Sequence, residues 1–185
     1  MEKEIELRVY DINKEDLIKK IEELNGKFIN NYDQVRYVYD FKPFKENKWI
    51  RLRTDGFKTT LTIKEYTSSK IDGVKELEIE VSDMEKTNLI LEELGYKKRS
   101  VQENKRTRYI LNDVEIDIDT WPYLKTFVEF ESKNEEKIYD VLKLLDIDIK
   151  NTTTKVADDF YYDIGFTKEM LNDLRFKEEW LCLKN

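Results

Sequence analysis

Charged residues spaced two apart recur along this chain. Glu4 and Glu6 lead to Arg8, and Arg51 and Arg53 are followed by Lys64. Then come Glu78 and Glu80, Arg106 and Arg108, Asp117 and Asp119, and Glu129 and Glu131. These types suit one chemistry in particular. Arginine and lysine neutralise phosphoryl oxygens, arginine through two parallel hydrogen bonds. Clustered carboxylates hold hard cations that bridge the same oxygens. Positioning and charge stabilisation are most of what phosphoryl transfer requires. Other chemistries are closed off. The 185 residues include no histidine and a single cysteine, Cys182, so imidazole acid–base steps, histidine-ligated zinc and a disulfide framework are excluded. A metal here must be held by oxygen, which suits Mg²⁺ or Mn²⁺. No Walker-type glycine loop offers a rival phosphate site.

The elements that must position these residues are mostly strands. Residues 4–9, 49–53, 60–64, 76–81, 114–119 and 127–131 alternate apolar and polar side chains, the signature of a strand with two unlike faces. With residues 34–40 and 102–111 the count is about eight, the usual range for one sheet or barrel. Asp55-Gly56 reads as a two-residue hairpin turn, which sets Arg53 opposite Lys58 and Arg51 opposite Thr60, with Thr62 and Lys64 on the same face. Asn112-Asp113 reads as a second turn, setting Arg108 opposite Asp117 and Arg106 opposite Asp119. Helices are predicted over 14–24 behind the cap Asn13, over 83–94 with Ser82 and Glu85 spaced as a capping box, over 134–145 and over 167–174. Few prolines and glycines leave no linker, so one domain over 1–185 is expected.

The ordinary place for charges on an antiparallel strand is water. Three features point elsewhere. The polar positions are fully charged in strand after strand, where threonine would suit a sheet better. Their signs segregate: Glu4, Glu6, Glu78, Glu80, Glu129 and Glu131 against Arg51, Arg53, Lys64, Arg106 and Arg108. And about eight strands can close around one small ligand. An inward charged face requires outward apolar faces covered by helices and by the C-terminal aromatics, including Phe160, Tyr161, Tyr162, Phe166, Phe176 and Trp180. Burying so many charges is tolerable only if they pair or bind ions.

Glu4-Ile5-Glu6-Leu7-Arg8 resembles the Glu-x-Glu-x-Lys signature of the CYTH superfamily, the triphosphate tunnel metalloenzymes. The resemblance runs on through Arg51-Leu52-Arg53, Leu61-Thr62-Ile63-Lys64, residues 76–81 and Asp117-Ile118-Asp119-Thr120-Trp121-Pro122, into residues 127–131. It covers roughly residues 2–165, leaving 166–185 as a C-terminal helical segment. The resemblance implies an α+β fold: an eight-stranded antiparallel closed β-barrel, a tunnel with a charged lumen, covered outside by α-helices. By match it implies metal-side carboxylates at Glu4, Glu6, Glu78, Glu80, Asp119, Glu129 and Glu131. It implies phosphate ligands at Arg51, Arg53, Lys64, Arg106 and Arg108, and a catalytic group of Glu4, Glu6 and Arg8. Arg8 departs from the signature, because arginine is a poor proton acceptor where the family has lysine.

The expected function is a Mg²⁺- or Mn²⁺-dependent phosphohydrolase acting on inorganic, nucleoside or thiamine triphosphate, with water attacking the terminal phosphorus. The alternatives are a class IV-type adenylate cyclase, in which the ribose 3′-hydroxyl attacks the α-phosphorus and pyrophosphate leaves, and a non-catalytic triphosphate or nucleotide binder. The partner is a small triphosphate, and a homodimer is allowed. A net charge of −7 disfavours nonspecific nucleic-acid binding. With no signal peptide and no apolar run of membrane length, a cytoplasmic home is expected. Trp121-Pro122 is expected to anchor a packed loop, Tyr37 and Tyr39 to pack, and Cys182 to be an incidental thiol.

Overall fold

A computed structural model describes residues 1–177; Trp180 and Cys182 lie outside the described residues. Its strands are β1 (Glu2–Glu4), β2 (Glu6–Tyr10), β3 (Lys27–Asp40), β4 (Lys48–Thr54), β5 (Thr59–Tyr66), β6 (Val74–Val81), β7 (Lys98–Leu111), β8 (Val114–Thr120), β9 (Phe127–Glu131), β10 (Thr152–Thr153) and β11 (Asp173–Leu174). Four helices accompany them: α1 (Lys14–Glu23), α2 (Met84–Glu93), α3 (Glu135–Leu144) and α4 (Ala157–Asp163).

All eleven strands belong to one sheet, in the order β1-β6-β5-β4-β3-β7-β8-β9-β2-β10, with β11 pairing in parallel beside β7. Every other pairing is antiparallel. The expected eight long strands are β2 to β9. The hydrogen-bonded path runs from β1 to β10, so of the expected closed eight-stranded barrel the structure shows the large antiparallel sheet with its four helices. The predicted N-terminal strand is split at Ile5 into β1, which pairs with β6, and β2, which pairs with β9. The free edge of β2 is taken instead by Ile71, whose carbonyl accepts from the Glu6 amide at 3.1 Å, and by β10.

The apolar strand faces are covered as amphipathicity requires. Leu17 and Ile21 of α1, with Ile138, Val141 and Leu142 of α3, pack on Leu7, Val9, Ile116, Ile118, Val128 and Phe130. Leu91 of α2 packs on Tyr39, Ile50 and Leu52. A third cluster joins Trp121, Leu124 and Phe127 to Phe160, Tyr161, Leu171 and Leu174. Here Phe127 is in phase with Glu129, and its neighbour Tyr10 with Glu6 and Arg8, so aromatics plug one end of the charged face.

Three local expectations change. The β4–β5 loop has four residues, not two: the Asp55 carboxylate accepts from the Phe57 and Lys58 amides, both at 2.9 Å, and Gly56 takes φ 88°. Arg53 therefore faces Thr60 and Arg51 faces Thr62, a slip of two residues that keeps every side chain on its predicted face. Helix α2 is capped by Asp83, which accepts from the Lys86 amide, and not by Ser82. Of the helical segment expected over 166–185, the described residues form a 3-10 turn (Met170–Asn172) running into β11, while α4 forms upstream of it; 178–185 lie outside the described residues. There the main chain satisfies itself against β7, since the Ser100 hydroxyl donates to the Leu171 carbonyl at 2.5 Å. Asn13, Asn134 and the Asn112-Asp113 turn sit as predicted.

Gly26 ends the α1 turn because nothing larger fits: a Cβ there would lie 2.3 Å from Ile21 Cγ2 and 2.8 Å from the Ile21 carbonyl oxygen. Gly26→Ala is expected to lower stability by about 1–3 kcal/mol, read as a lower urea midpoint with an unchanged slope.

Candidate active site

The charged face gathers side chains from eight strands, β2 to β9. Alternation places Glu6 and Arg8 of β2 beside Glu129 and Glu131 of β9, with Glu6 opposite Glu131 and Arg8 opposite Glu129. Arg8 donates to Glu129 at 2.6 Å and to Glu6 at 2.8 Å, and its third nitrogen donates to the Lys155 carbonyl at 3.1 Å. Arg106 donates to Asp117 at 2.5 Å, to both oxygens of Asp119 at 2.7 and 2.6 Å, and to Glu129 at 2.7 Å. Arg108 takes Asp117 and Glu115. On the other side, Arg51 donates to Glu76 and Glu78, both at 3.2 Å, and Lys64 pairs with Glu76 at 2.9 Å. Arg53 reaches Glu78 at 3.9 Å.

The two sides act on one another although five ladder steps separate β5 from β9. Lys64 lowers the pKa of both Glu129 and Glu131. β1 on β6 and β2 on β9 are joined through Ile5, so the sheet is curled around its charges.

Burial and pairing compete, and the outcome differs by residue. Burial alone would discharge Arg8 and Arg106, but Glu129 and Glu6 for the first, and Asp117, Asp119 and Glu129 for the second, hold both above the usual arginine range. Burial would likewise raise Glu129, yet Arg8 and Arg106 outweigh it and hold its carboxyl well below normal. Glu131 lacks such partners. Burial, then Glu115, Glu6 and Glu129, push it up to about 7. Arg53 is pushed down to about 10 by burial and by Arg51 and Arg106.

The predicted residues thus fall into three groups. Ten of them pair, in two separate networks: Glu6, Arg8, Glu129, Arg106, Asp119 and Arg108 in one, and Arg51, Arg53, Lys64 and Glu78 in the other. Glu131 shares their face without an ion pair among the described residues. Glu80 also shares that face but is exposed. For Glu4 only the backbone is described, pairing with Val74. The expectation that the acidic residues form one metal cluster is not met among the described residues. Arginine occupies Glu6, Asp119 and Glu129, and the strands carry Glu78 away from them. Glu6 lies directly opposite Glu131, with Glu129 two residues along the same strand, and carboxylate oxygens are the donor type a hard cation takes.

Sequence reading missed Glu76, Glu115 and Arg36. The first two were legible in the alternation of their strands. Arg36 was too, in phase with Gln34 between Val35 and Tyr37, and it lies directly opposite Arg53 of the sequence-adjacent β4. Arg36 is 9% exposed and its guanidinium carbon lies 4.4 Å from the Trp121 ring centroid. Trp121 is packed as expected, as are Tyr37 and Tyr39, whose hydroxyls donate to Glu85 and Asn88.

The fold is one large antiparallel sheet with helices packed on its apolar face and paired acids and bases on the other. The CYTH domain family model matches residues 2–139, and the chain belongs to that family. Among solved structures, the PH1012 protein of Pyrococcus horikoshii OT3 is 27% identical, with TM-score 0.73 over 85% of this chain and 98% of that one. A putative adenylate cyclase from Vibrio parahaemolyticus is 13% identical, with TM-score 0.74 over 87% and 98%. A putative adenylyl cyclase from Hippeastrum, described as having a dominant triphosphatase activity, is 16% identical, with TM-score 0.59 over 90% and 97%. These last two show the fold alone. A comparison with curated proteins returned no match.

The raised Glu131 has a sign that can be measured. Its folded state holds a proton that the unfolded state releases near 4.5, so metal-free protein loses stability as pH rises from about 4.5 to 7. Glu131→Gln should remove that slope and raise the melting midpoint at pH 8 by roughly 2–4 °C, the shift expected of about 1 kcal/mol. Thermal melts in EDTA across that range check it.

Proposed function

We propose that this protein is a metal-dependent phosphohydrolase that cleaves a triphosphate inside a tunnel formed by the curled sheet. One observation carries the reading: arginines and carboxylates from opposite sides of the sheet order are buried facing a common interior. Such an arrangement is hard to account for as stabilisation alone, since buried ion pairs seldom outdo apolar packing. It is well suited to exchanging partners. A triphosphate takes Arg51, Arg53, Lys64, Arg106 and Arg108 from their carboxylates. Glu6, Glu129 and Glu131, with Glu4 of the same motif, are then released to hold a divalent cation. When bound, Mg²⁺ or Mn²⁺ withdraws charge from the phosphoryl oxygens.

The role of Arg8 follows from its pairing. Raised above the usual range by Glu129 and Glu6, it stays charged and takes no proton. It fixes the two carboxylates at 2.6 and 2.8 Å and places positive charge where negative charge builds on the phosphorus. Closure of the tunnel belongs to the same proposal, because β1 and β2 lie at opposite reaches of the sheet order yet are joined through Ile5. The described residues contain no helix long and apolar enough to cross a membrane, and we place the reaction in the cytoplasm.

Cyclisation of ATP is the second reading. It is favoured by the charged Arg8, which leaves the water-activating lysine of the family without a counterpart. Incubation with Mg²⁺ or Mn²⁺ and tripolyphosphate, ATP or thiamine triphosphate separates the two. Release of orthophosphate is expected. Cyclic AMP with pyrophosphate would overturn hydrolysis, and binding without turnover would make the protein a receptor. Glu6→Gln keeps an acceptor for Arg8 while removing charge, so metal-dependent turnover should fall at least tenfold, with a much smaller shift in melting midpoint.

A further inference from the structure

Among the described interior cations, Arg36 has neither a carboxylate partner nor an orthodox neighbourhood. Its Nη2 donates to Gln34 Oε1 at 3.0 Å and to Asn104 Oδ1, both neutral amides. Its Nε is buried and without a partner. The acids that influence it form no ion pair with it. Asp119 is bound by Arg106, and Asp158 of α4 makes no ion pair among the described residues. Three like charges surround it instead: Arg53, Arg51 and Arg106.

The sheet register makes this a row. Arg36 lies directly opposite Arg53, and Arg53 directly opposite Thr60. Like charges in direct cross-strand pairs are destabilising. The adjacent row, Arg51 to Thr62 to Glu78, carries its own carboxylate, and Thr62 donates to Glu78 at 2.7 Å. The Arg36 row ends at Glu80, which is exposed. Two further buried donors border it without partners, Arg51 Nε and Thr60 Oγ1. Trp121, 3% exposed, backs the guanidinium with its ring and fixes its plane. Arginine does not discharge at neutral pH, so the unmet charge is expressed as affinity for an anion.

We propose that Arg36 and Arg53, with Thr60 and Arg51 Nε, form a clamp for one terminal, unesterified phosphoryl group. The inference deepens the triphosphate reading and rests on it. The choice of a terminal group follows from the surroundings. The aromatic cluster of Trp121, Phe127, Phe160 and Tyr161 lies beside Arg36, an apolar wall on that side of the guanidinium. The unpaired donors converge from β3, β4 and β5 on a dianionic end, whereas a bridging phosphate carries only one charge.

Calorimetric titration with linear tripolyphosphate and with cyclic trimetaphosphate, which has no terminal group, tests this in EDTA and again with Mg²⁺. Wild-type protein should prefer the linear form. Arg36→Gln should weaken tripolyphosphate binding by about tenfold to a hundredfold, the value of lost charged hydrogen bonds, and leave trimetaphosphate little changed. The same substitution should raise the melting midpoint of the ligand-free protein by relieving like-charge repulsion. A midpoint that falls, with tripolyphosphate affinity unchanged, would make Arg36 structural and overturn the clamp. Equal losses for both probes would overturn the terminal-group assignment. Failure of wild-type protein to bind either phosphate would instead remove the triphosphate reading, and the clamp with it. Should Arg36→Gln not fold, the arginine Nε–H signals of wild-type protein decide. The signal absent from Arg36→Lys should shift on adding tripolyphosphate, and an unmoved signal overturns the proposal.

Discussion

A buried charge needs a partner, and this constraint governs the whole interior. Ionised groups taken from water into a medium of low dielectric lose several kcal/mol of solvation each unless opposite charge and hydrogen bonds replace it. Arg106 meets the requirement with three carboxylates and Arg8 with two. The network does not balance everywhere. Around Glu131 the surplus is negative, and around Arg36 and Arg53 it is positive. Two unmet charges of opposite sign at separate places in one interior are what a site for an anion and its cations would present. Under that reading the two kinds of ligand assist each other. An anion that draws arginines away from Asp119 and Glu129 exposes carboxylates to a cation, and linkage makes the help reciprocal.

The sheet supplies the geometry at little expense in sequence. Because side chains alternate, one polar face per strand suffices to line the interior, and one apolar face suffices to receive α1, α2 and α3. The helices act as the outer half of the core. They leave the concave face free, so that side is populated by groups chosen for charge and not for packing. At the end lined by Tyr10, Phe127 and Phe160 the face turns aromatic. A curved sheet held by apolar packing outside can tolerate a polar interior because stability and function are assigned to different faces.

This division also explains what was legible in the sequence. Alternation gave the faces of β2, β4, β5, β6, β8 and β9, and so the facing of most of the network. The tight Asn112-Asp113 turn gave the pairing of Arg106 with Asp119 and Arg108 with Asp117 in advance. The four-residue Asp55 loop slipped a register by two, and parity preserved the faces. What sequence could not supply is long-range. The β3–β7 pairing that brings Arg36 beside Gln102 and Asn104 joins residues far apart in the chain, and no local pattern encodes it. The split at Ile5, the α4 helix and the 3-10 turn before β11 are likewise set by which edge each segment meets, since two-residue strands carry no periodicity of their own.

Arg8 shows how a single departure from a motif is absorbed by its surroundings. Lysine at this place would be a point charge whose proton can move; the guanidinium is a fork that bonds Glu6, Glu129 and the Lys155 carbonyl at once. The last of these contacts ties the C-terminal segment, through β10, to the wall of the charged face. Arginine therefore exchanges a mobile proton for three fixed contacts. In the proposed reaction, the attacking oxygen must lose its proton to some other acceptor. Arg8 then contributes orientation of the two carboxylates and a permanent positive charge, which serve bond breaking at phosphorus whichever oxygen attacks.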